Sequence, residues 1–97
     1  MIYTYLLKSE IDRSFYVGIS EDVDKRLQEH NSGQLKVTSS KKPWNLVYYK
    51  EHLDYVEARK HEKWLKKKNR RYKEYLAQLA PPELYLPRLE QRRGDAG

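Results

Sequence analysis

Two side chains four positions apart, Arg26 and His30, are the first pair in this sequence that could do chemistry together. Residues at this spacing project from the same side of a helix. A guanidinium can hold an anion through a fixed fork of donors, and an imidazole can exchange a proton near neutral pH. Taken singly, Arg26 is explained as a surface partner of Asp22, and His30 as a helix-terminal residue facing the negative end of the helix dipole.

A carboxylate at an unusual position, Glu62, is the next candidate. Glu62 lies in a predicted helix that follows a capping box formed by Asp54 and Glu57 and continues to about Lys68. Its inward-facing stripe by spacing contains Tyr55, Ala58, Glu62 and Leu65. Because burying an unpaired carboxylate is costly, Glu62 requires a cation, a hydrogen-bond network, a metal ion or a place at a cleft edge. An acid bonded to a nearby lysine or tyrosine is the plain structural alternative.

Two tyrosines, Tyr5 and Tyr16, are brought together by the elements predicted around them. Residues 2–8 have the alternation of a strand buried on both faces, and residues 15–19 are again strand-like. The polar segment between them is short, so we predict an antiparallel hairpin in which the two tyrosines can lie near one another. Taken singly, each tyrosine is explained as a core residue.

A first helix is predicted over residues 21–30, because Ser20 can cap its start and Gly33 supplies the stop. Residues 34–42 have no periodicity. They predict a mobile basic loop whose small polar residues can approach a phosphate backbone.

The third strand is predicted over residues 44–50, with Leu46 and Tyr48 on one face. Asn69 can cap a last helix. Its amphipathic stripe contains Tyr72, Tyr75, Leu76 and Leu79. We therefore predict an α/β (α+β) fold, in which a small three-stranded antiparallel sheet is flanked by helices in the order β-β-α-β-α-α.

Length and composition limit the class of protein. With 97 residues the chain is long enough for one small domain, which we place at residues 1–80, with a C-terminal tail at 81–97. The absence of cysteine excludes a disulfide framework and a thiolate metal site. No stretch approaches the roughly 18 to 20 apolar residues of a membrane span. We expect a soluble, cytoplasmic protein with no membrane partner.

Positive charge is concentrated in one part of the chain. The formal net charge is +6 and the sequence pI is near 9.5. The outer face of the second helix and the segment after it carry Arg59, Lys60, Lys63, Lys66, Lys67, Lys68, Arg70, Arg71 and Lys73. A concentrated basic face indicates a polyanion partner, and a solvated helix face that keeps a small protein in solution is the alternative.

These parts, in this order, resemble the GIY-YIG nuclease superfamily, and within it the small stand-alone bacterial proteins similar to the nuclease domain of the excision-repair incision subunit. The resemblance covers roughly residues 2–79 and is carried by Tyr3-Thr4-Tyr5, by Tyr16-Val17-Gly18 and by residues 25–33 and 57–66. The first motif keeps only its tyrosine, and Val17 replaces isoleucine in the second. Both changes affect strand packing rather than chemical groups. Asn69 is the one candidate for the asparagine that many members carry after the metal-binding helix.

The resemblance implies hydrolysis of a DNA phosphodiester with one divalent ion, Mg²⁺ or Mn²⁺. Glu62 would be the only protein carboxylate on that ion, and Arg26 would hold the phosphate where charge develops. Tyr5 and Tyr16 would orient or deprotonate the attacking water, or His30 would take the proton instead. The residues alone do not decide between these bases.

Contacts to the DNA backbone would position the substrate without reading bases. Gly18, lacking a side chain, would let a phosphate come close to the main chain beside Tyr16. The cations expected to bind phosphates are Lys36, Lys41, Lys42, Lys63, Lys66, Lys67, Arg70 and Arg71. A chain this small has no evident second module for sequence recognition, so we expect preference for a branched or damaged DNA, or a recruiting protein partner.

Two other functions are compatible with the same sequence. One is a nucleic-acid-binding module of this fold that does not cleave. The other is a protein-interaction domain whose leucine-bearing and aromatic tail mediates formation of a homodimer.

Overall fold

The computed structural model describes residues 1–79 and contains a three-stranded sheet with helices on both faces. Its elements are β1 (Ile2–Ser9), β2 (Phe15–Ser20), α1 (Val23–Ser32), α2 (Lys36–Ser39), β3 (Trp44–His52), α3 (Tyr55–Lys66) and α4 (Arg70–Leu79). The sheet is antiparallel with strand order β2-β1-β3. The predicted fold class and element order are confirmed, with the short α2 as an addition. The predicted tail, 81–97, lies outside the described residues.

The predicted hairpin is confirmed, and β1 is the central strand. Tyr5 is paired with Gly18, and Leu7 with Tyr16, across the β1–β2 ladder. The rings of Tyr5 and Tyr16 therefore share one face, with centroids 6.4 Å apart.

Strand β3 departs from the predicted alternation because it contains a bulge. Leu6 pairs with Tyr48 and Leu7 with Leu46, which leaves Val47 as an extra residue. Leu46 and Tyr49 consequently pack on one face and Val47 and Tyr48 on the other. The prediction that Leu46 and Tyr48 share a face is wrong, since a bulge shifts the two-residue period by one.

The sheet separates two apolar cores. The core on the α1 side contains Tyr5, Leu7, Val23, Trp44 and Leu46. The core on the α3 and α4 side contains Leu6, Val17, Val47, Leu65 and Leu76. Because β1 contributes to both, it is buried on its two faces as its sequence predicts.

The first helix begins two residues later than predicted. Asp22, not Ser20, is the N-cap, and its Oδ1 accepts a hydrogen bond from the amide of Lys25 at 3.1 Å. The Ser20 hydroxyl instead accepts from the Asp22 amide and donates to the Asp22 carbonyl. Gly33 ends the helix as predicted, in a left-handed conformation with φ of 85°.

The predicted mobile loop at 34–42 is wrong in part, because residues Lys36–Ser39 form the short helix α2. Thr38 is the buried residue of this helix. The indole Nε1 of Trp44 donates to the Thr38 carbonyl at 2.9 Å, which ties α2 to the start of β3.

Helix α3 begins at the predicted capping residue, since Asp54 Oδ1 accepts from the Glu57 amide at 3.0 Å. Ala58 and Leu65 face the core as predicted, whereas Tyr55 is 51% exposed. The prediction that Tyr55 faces the core is therefore wrong. Tyr55 is the first residue of α3, at the end of the helix.

Helix α4 is capped by Asn69, whose Oδ1 accepts from the Tyr72 amide at 2.9 Å. Leu76 is the buried residue of its predicted stripe, while Tyr75 and Leu79 are exposed. No helix within residues 1–79 has the length and apolar character needed to cross a membrane.

Candidate active site

A cleft of about 380 Å³ opens on the α1 side of the sheet, beside the edge strand β2. Strands β1 and β2 form its floor, and α1, α2 and α3 contribute its walls. The lining residues include all five predicted chemical groups, Tyr5, Tyr16, Arg26, His30 and Glu62. The structure thus brings together side chains that are up to 57 positions apart in the sequence.

A buried hydrogen-bonded chain leads from α2 into this cleft. The Tyr5 hydroxyl lies 3.0 Å from His30 Nε2, and His30 Nδ1 lies 2.7 Å from the Thr38 hydroxyl. Thr38 Oγ1 donates to the Leu35 carbonyl at 3.3 Å. The Thr38 oxygen therefore accepts from Nδ1–H, which leaves Nε2 as the acceptor for the Tyr5 hydroxyl. In this pattern every proton has an acceptor.

The surroundings keep both members of the Tyr5–His30 pair neutral. Burial, then the neighbouring Tyr16, raises the pKa of Tyr5 above its ordinary range, despite an opposing effect of Arg26. Burial, then Arg26, lowers the pKa of His30 from its ordinary 6.5. A resting Tyr5 phenolate is consequently unfavourable, and His30 Nε2, which accepts the Tyr5 hydroxyl proton, is the basic atom of the chain.

Tyr16 lies at the open side of this pair. It is half-buried, lines the cleft, and packs its ring edge-on against His30 with centroids 4.9 Å apart. Its ring also contacts buried Trp44, at 6.3 Å between centroids. These two contacts hold the ring of Tyr16 in place at the cleft surface.

Arg26 projects from α1 with His30, as their spacing predicts. Its Nη1 lies 3.2 Å from Glu29 Oε1, so Glu29 is an ion-pair partner of Arg26. Asp22 caps the helix. The Arg26 side chain is 40% exposed and lines the cleft, where it is accessible to an anion.

Glu62 reaches the cleft from the helix layer on the other face of the sheet, beside Gly18 and Ile19 of β2. Its side chain is 15% exposed, and Lys66 Nζ lies 3.4 Å from Oε2. Both a cleft-edge position and a cation partner, two of the predicted conditions for this carboxylate, are present. Lys66 comes from the next turn of α3 and is itself well exposed.

The donor set at the cleft fits a single hard cation held largely by water and substrate. Within residues 1–79 no three His, Cys, Asp or Glu side chains are grouped so as to enclose a metal ion. Mg²⁺ is commonly bound through one or two carboxylates with waters and substrate phosphates, and Glu62 offers one carboxylate at the cleft surface.

Gly18 has a packing role that the sequence did not indicate. A Cβ at this position would lie 2.5 Å from the Tyr5 hydroxyl and 2.6 Å from Tyr5 Cζ. The space above the glycine is therefore filled by the phenol of its cross-strand partner. Gly18 also lines the cleft, and its predicted approach to a phosphate stays a prediction.

The predicted phosphate-binding cations are not gathered at one place. Lys36 lines the cleft, and Lys66 contacts Glu62. Lys41 pairs with Asp12 at 3.3 Å, away from the cleft lining. Lys42 and Lys63 are exposed outside the lining, and Lys67, Arg70 and Arg71 lie at or near α4.

Thr38 is the residue that sequence reasoning missed. Its segment lacks periodicity, and a buried threonine that contacts a histidine eight positions earlier leaves no local signal. Asn69 caps α4 and lines a separate groove, which accounts for it without a role in the cleft.

The fold and the cleft define a class of protein. Residues 1–75 match the family profile of the GIY-YIG catalytic domain, and the chain belongs to the GIY-YIG family, as its motifs predict. It is similar to a UPF0213 protein of Syntrophus aciditrophicus, with 36% identity over 88 residues that cover 84% of this chain and 95% of the relative. A UPF0213 protein of Clostridium perfringens is 36% identical over 74 residues, covering 75% and 78% of the two chains.

A solved structure shows the same fold. The solution NMR structure of a UPF0213 protein from Bacillus halodurans is 36% identical to this chain and covers 87% of it, with 92% of its own length matched. The TM-score is 0.54. The chain is thus similar in length and fold to small stand-alone bacterial proteins of the family.

Proposed function

We propose that this protein is a metal-dependent endonuclease that hydrolyses DNA phosphodiester bonds, directed by DNA structure rather than by sequence. Membership of a nuclease family supports the reaction class. The observation that carries the proposal is the hydrogen-bonded chain from Thr38 through His30 to Tyr5, which ends in a cleft that also contains Arg26 and Glu62.

The Tyr5–His30 pair is suited to accept the proton of an attacking water. The water donates to the Tyr5 oxygen as the Tyr5 proton passes to His30 Nε2, so that no tyrosinate has to persist in a buried site. Thr38 keeps the other ring proton on Nδ1 throughout. The resulting imidazolium is costly in this environment, since burial and Arg26 oppose it, and the negative charge of a bound phosphate offsets that cost.

Two side chains at the mouth of the cleft would position the reacting groups. Arg26 holds the scissile phosphate through its fork of donors, where charge develops in the transition state. Tyr16, fixed by His30 and Trp44, orients the water towards the phosphorus. Lysine at position 26 would replace arginine poorly, because an ammonium lacks the planar fork.

Glu62 would hold one Mg²⁺ or Mn²⁺ ion at the cleft surface. When bound, such an ion supplies Lewis-acid stabilisation of charge on the phosphate oxygens. Lys66, the existing partner of Glu62, is exposed and free to move to a substrate phosphate.

The substrate is a DNA with a branch or lesion rather than a fixed sequence. Lys36 at the cleft wall contacts the backbone next to the scissile bond, and the exposed cations of α3 and α4 contact it further away. Contacts of this kind bind phosphates and carry no base information.

Plasmid nicking tests this proposal. We expect the protein to convert supercoiled plasmid to the open circle in Mg²⁺ or Mn²⁺ and not in excess chelator. Tyr16→Phe should lower the nicking rate about 10- to 100-fold, whereas the matched change Tyr55→Phe, at an exposed tyrosine outside the cleft lining, should leave it unchanged. DNA binding without nicking under every metal condition would instead support a non-cleaving binding module.

A further inference from the structure

A row of four aromatic side chains, which we name the aromatic strip, crosses from α3 to α4 outside the cleft. It consists of His61, Trp64, Tyr72 and Tyr75. Ring centroids are 5.0 Å apart between His61 and Trp64, 5.6 Å between Trp64 and Tyr72, and 6.0 Å between Tyr72 and Tyr75. Successive rings are therefore in contact along the whole strip.

Large parts of the aromatic strip are accessible. Trp64 is 39% exposed and Tyr75 is 53% exposed. A groove of about 440 Å³ borders the strip at Trp64 and His61, and another of about 570 Å³ borders it at Tyr72 and Tyr75. Flat rings next to open grooves offer stacking surfaces to planar ligands.

Positive charge surrounds the aromatic strip. The cations that line the two grooves are Lys50, Lys60, Lys67, Lys68 and Arg71. In the described part of the chain, Glu57 is the one carboxylate in either lining, and it lies 3.8 Å from Lys60. The ammonium of Lys68 lies 4.9 Å from the Trp64 centroid and 5.3 Å from that of Tyr72.

The aromatic strip and the cleft lie towards opposite edges of the sheet. Helix α3 directs Glu62 past β2, whereas His61 bonds the Tyr48 hydroxyl of β3 at 2.9 Å. Strands β2 and β3 flank β1, so they are about 10 Å apart. A nucleic-acid strand bound on the aromatic strip would therefore be separate from the nucleic acid bound in the cleft.

We propose that the aromatic strip binds an unpaired DNA strand, with bases stacked on Trp64 and Tyr75 and phosphates on the surrounding cations. Exposed aromatic rings interleaved with cations are the combination by which proteins hold single strands without sequence preference. Lys68 has a flexible stem, so a base can take its place over the indole while its ammonium turns to a phosphate. A second copy of the chain fits this face poorly, since two copies would oppose like charges.

This inference deepens the proposed function, on which it rests, by making an unpaired strand part of the substrate. It is tested by binding alone, so that a failure to bind is distinguishable from a failure to cleave. The probe is a fluorescently labelled oligothymidylate, which forms no duplex, titrated with the full chain at low salt in chelator. We expect binding together with quenching of tryptophan fluorescence, because Trp64 is exposed and Trp44, the other tryptophan, is buried.

Variants locate the site. Trp64→Ala and Tyr75→Ala should each weaken binding about 5- to 100-fold, the range expected from loss of one stacked base. Tyr55→Ala removes an equally exposed tyrosine from the start of α3 and should change binding less than twofold. Trp64→Phe, which keeps a ring, should bind nearly as well as the parent and lose the quenching.

Three outcomes would overturn the inference. The first is absence of oligothymidylate binding by the folded parent chain. The second is equal binding of an abasic strand of the same length, which would reduce the contact to phosphates. The third is a dimer in sedimentation that Trp64→Ala or Tyr75→Ala dissociates without any effect on binding, which would make the aromatic strip a self-interface.

Discussion

Thr38 determines the protonation pattern of the candidate site through its hydrogen bond to His30. Its hydroxyl accepts from His30 Nδ1 at 2.7 Å and donates to the Leu35 carbonyl, so the basic Nε2 is directed at Tyr5. Thr38 acts through His30 and is a positioning residue. The rate of cleavage should therefore depend on a hydroxyl at position 38 and tolerate loss of its methyl group.

Replacement of Thr38 tests this dependence. Thr38→Val leaves the buried Nδ1–H of His30 without an acceptor, a cost of about 1–3 kcal/mol, and should lower single-turnover cleavage about 10- to 100-fold. Thr38→Ser retains the hydroxyl and should stay within about threefold of the parent. Equal rates for the parent and Thr38→Val would contradict the positioning role, and an equal loss in both variants would indicate a packing effect only.

Gly18 is coupled to Tyr5 by close packing. An added methyl group at Gly18 would meet the phenol at 2.5–2.6 Å, so Tyr5 must move and its bond to His30 must lengthen. Gly18→Ala should lower stability by about 1–3 kcal/mol in urea unfolding and reduce cleavage.

A double-mutant cycle gives the control for that prediction. In a Tyr5→Ala background the ring is gone, so Gly18→Ala should have almost no further effect on stability. An undiminished penalty in that background would show that the cause lies elsewhere in the strand.

At the scale of elements, the sequence predicted those helices and strands whose formation depends on residues close together in the chain. The hairpin followed from strand alternation and a short polar connection, and α3 followed from the Asp54 capping box. Asp22 displaced Ser20 as the cap of α1, a choice between neighbouring residues that both favour caps. The bulge at Val47 depends on pairing with β1, which is distant in sequence. Helix α2 depends on contacts with His30 and Trp44, and its own residues show no helical periodicity.

The end of α1 is fixed by Gly33. Its φ of 85° is a conformation that costs residues with a side chain about 1–2 kcal/mol, so Gly33→Ala should destabilise the protein by about that amount in urea unfolding. An added Cβ would also meet Lys42 Nζ at 2.8 Å, which a flexible lysine can relieve by moving. Ser32→Ala, at the exposed neighbouring position, should change stability by less than about 0.5 kcal/mol. Similar stabilities for the parent and Gly33→Ala would contradict this assignment.

At the scale of the whole molecule, the sheet places the cleft and the aromatic strip towards its two edges. The family motifs predicted five chemical groups, Tyr5, Tyr16, Arg26, His30 and Glu62, and all five line the cleft. The sequence did not predict the direction of proton donation between Tyr5 and His30, which depends on the buried Thr38. The aromatic strip was also missed. The sequence placed Tyr72 and Tyr75 on the amphipathic stripe of the last helix and gave His61 and Trp64 no role.

Stability should fall as the pH is lowered from about 6.5 towards 4. Burial, as the largest cause, lowers the pKa of all three histidines in the folded protein, that of His61 to about 4. The unfolded chain therefore binds more protons in this window, and each histidine removes up to about 1.4 kcal/mol per pH unit, less where solvent screens the ring. Urea unfolding at pH 7.5, 6, 5 and 4.5 measures the slope. His61→Gln should make it shallower, and a stability that is flat or rises on acidification would contradict the prediction.

The central claim is that the cleft is a nuclease active site in which Glu62 holds the metal ion. The most direct measurement is the initial rate of plasmid nicking in Mg²⁺ by Glu62→Gln, with Glu57→Gln, the other glutamate of α3, as the matched control. We predict a loss of about 100-fold or more for Glu62→Gln and none for Glu57→Gln, with the parent fold retained by both. Nicking by Glu62→Gln within about threefold of the parent would contradict the claim.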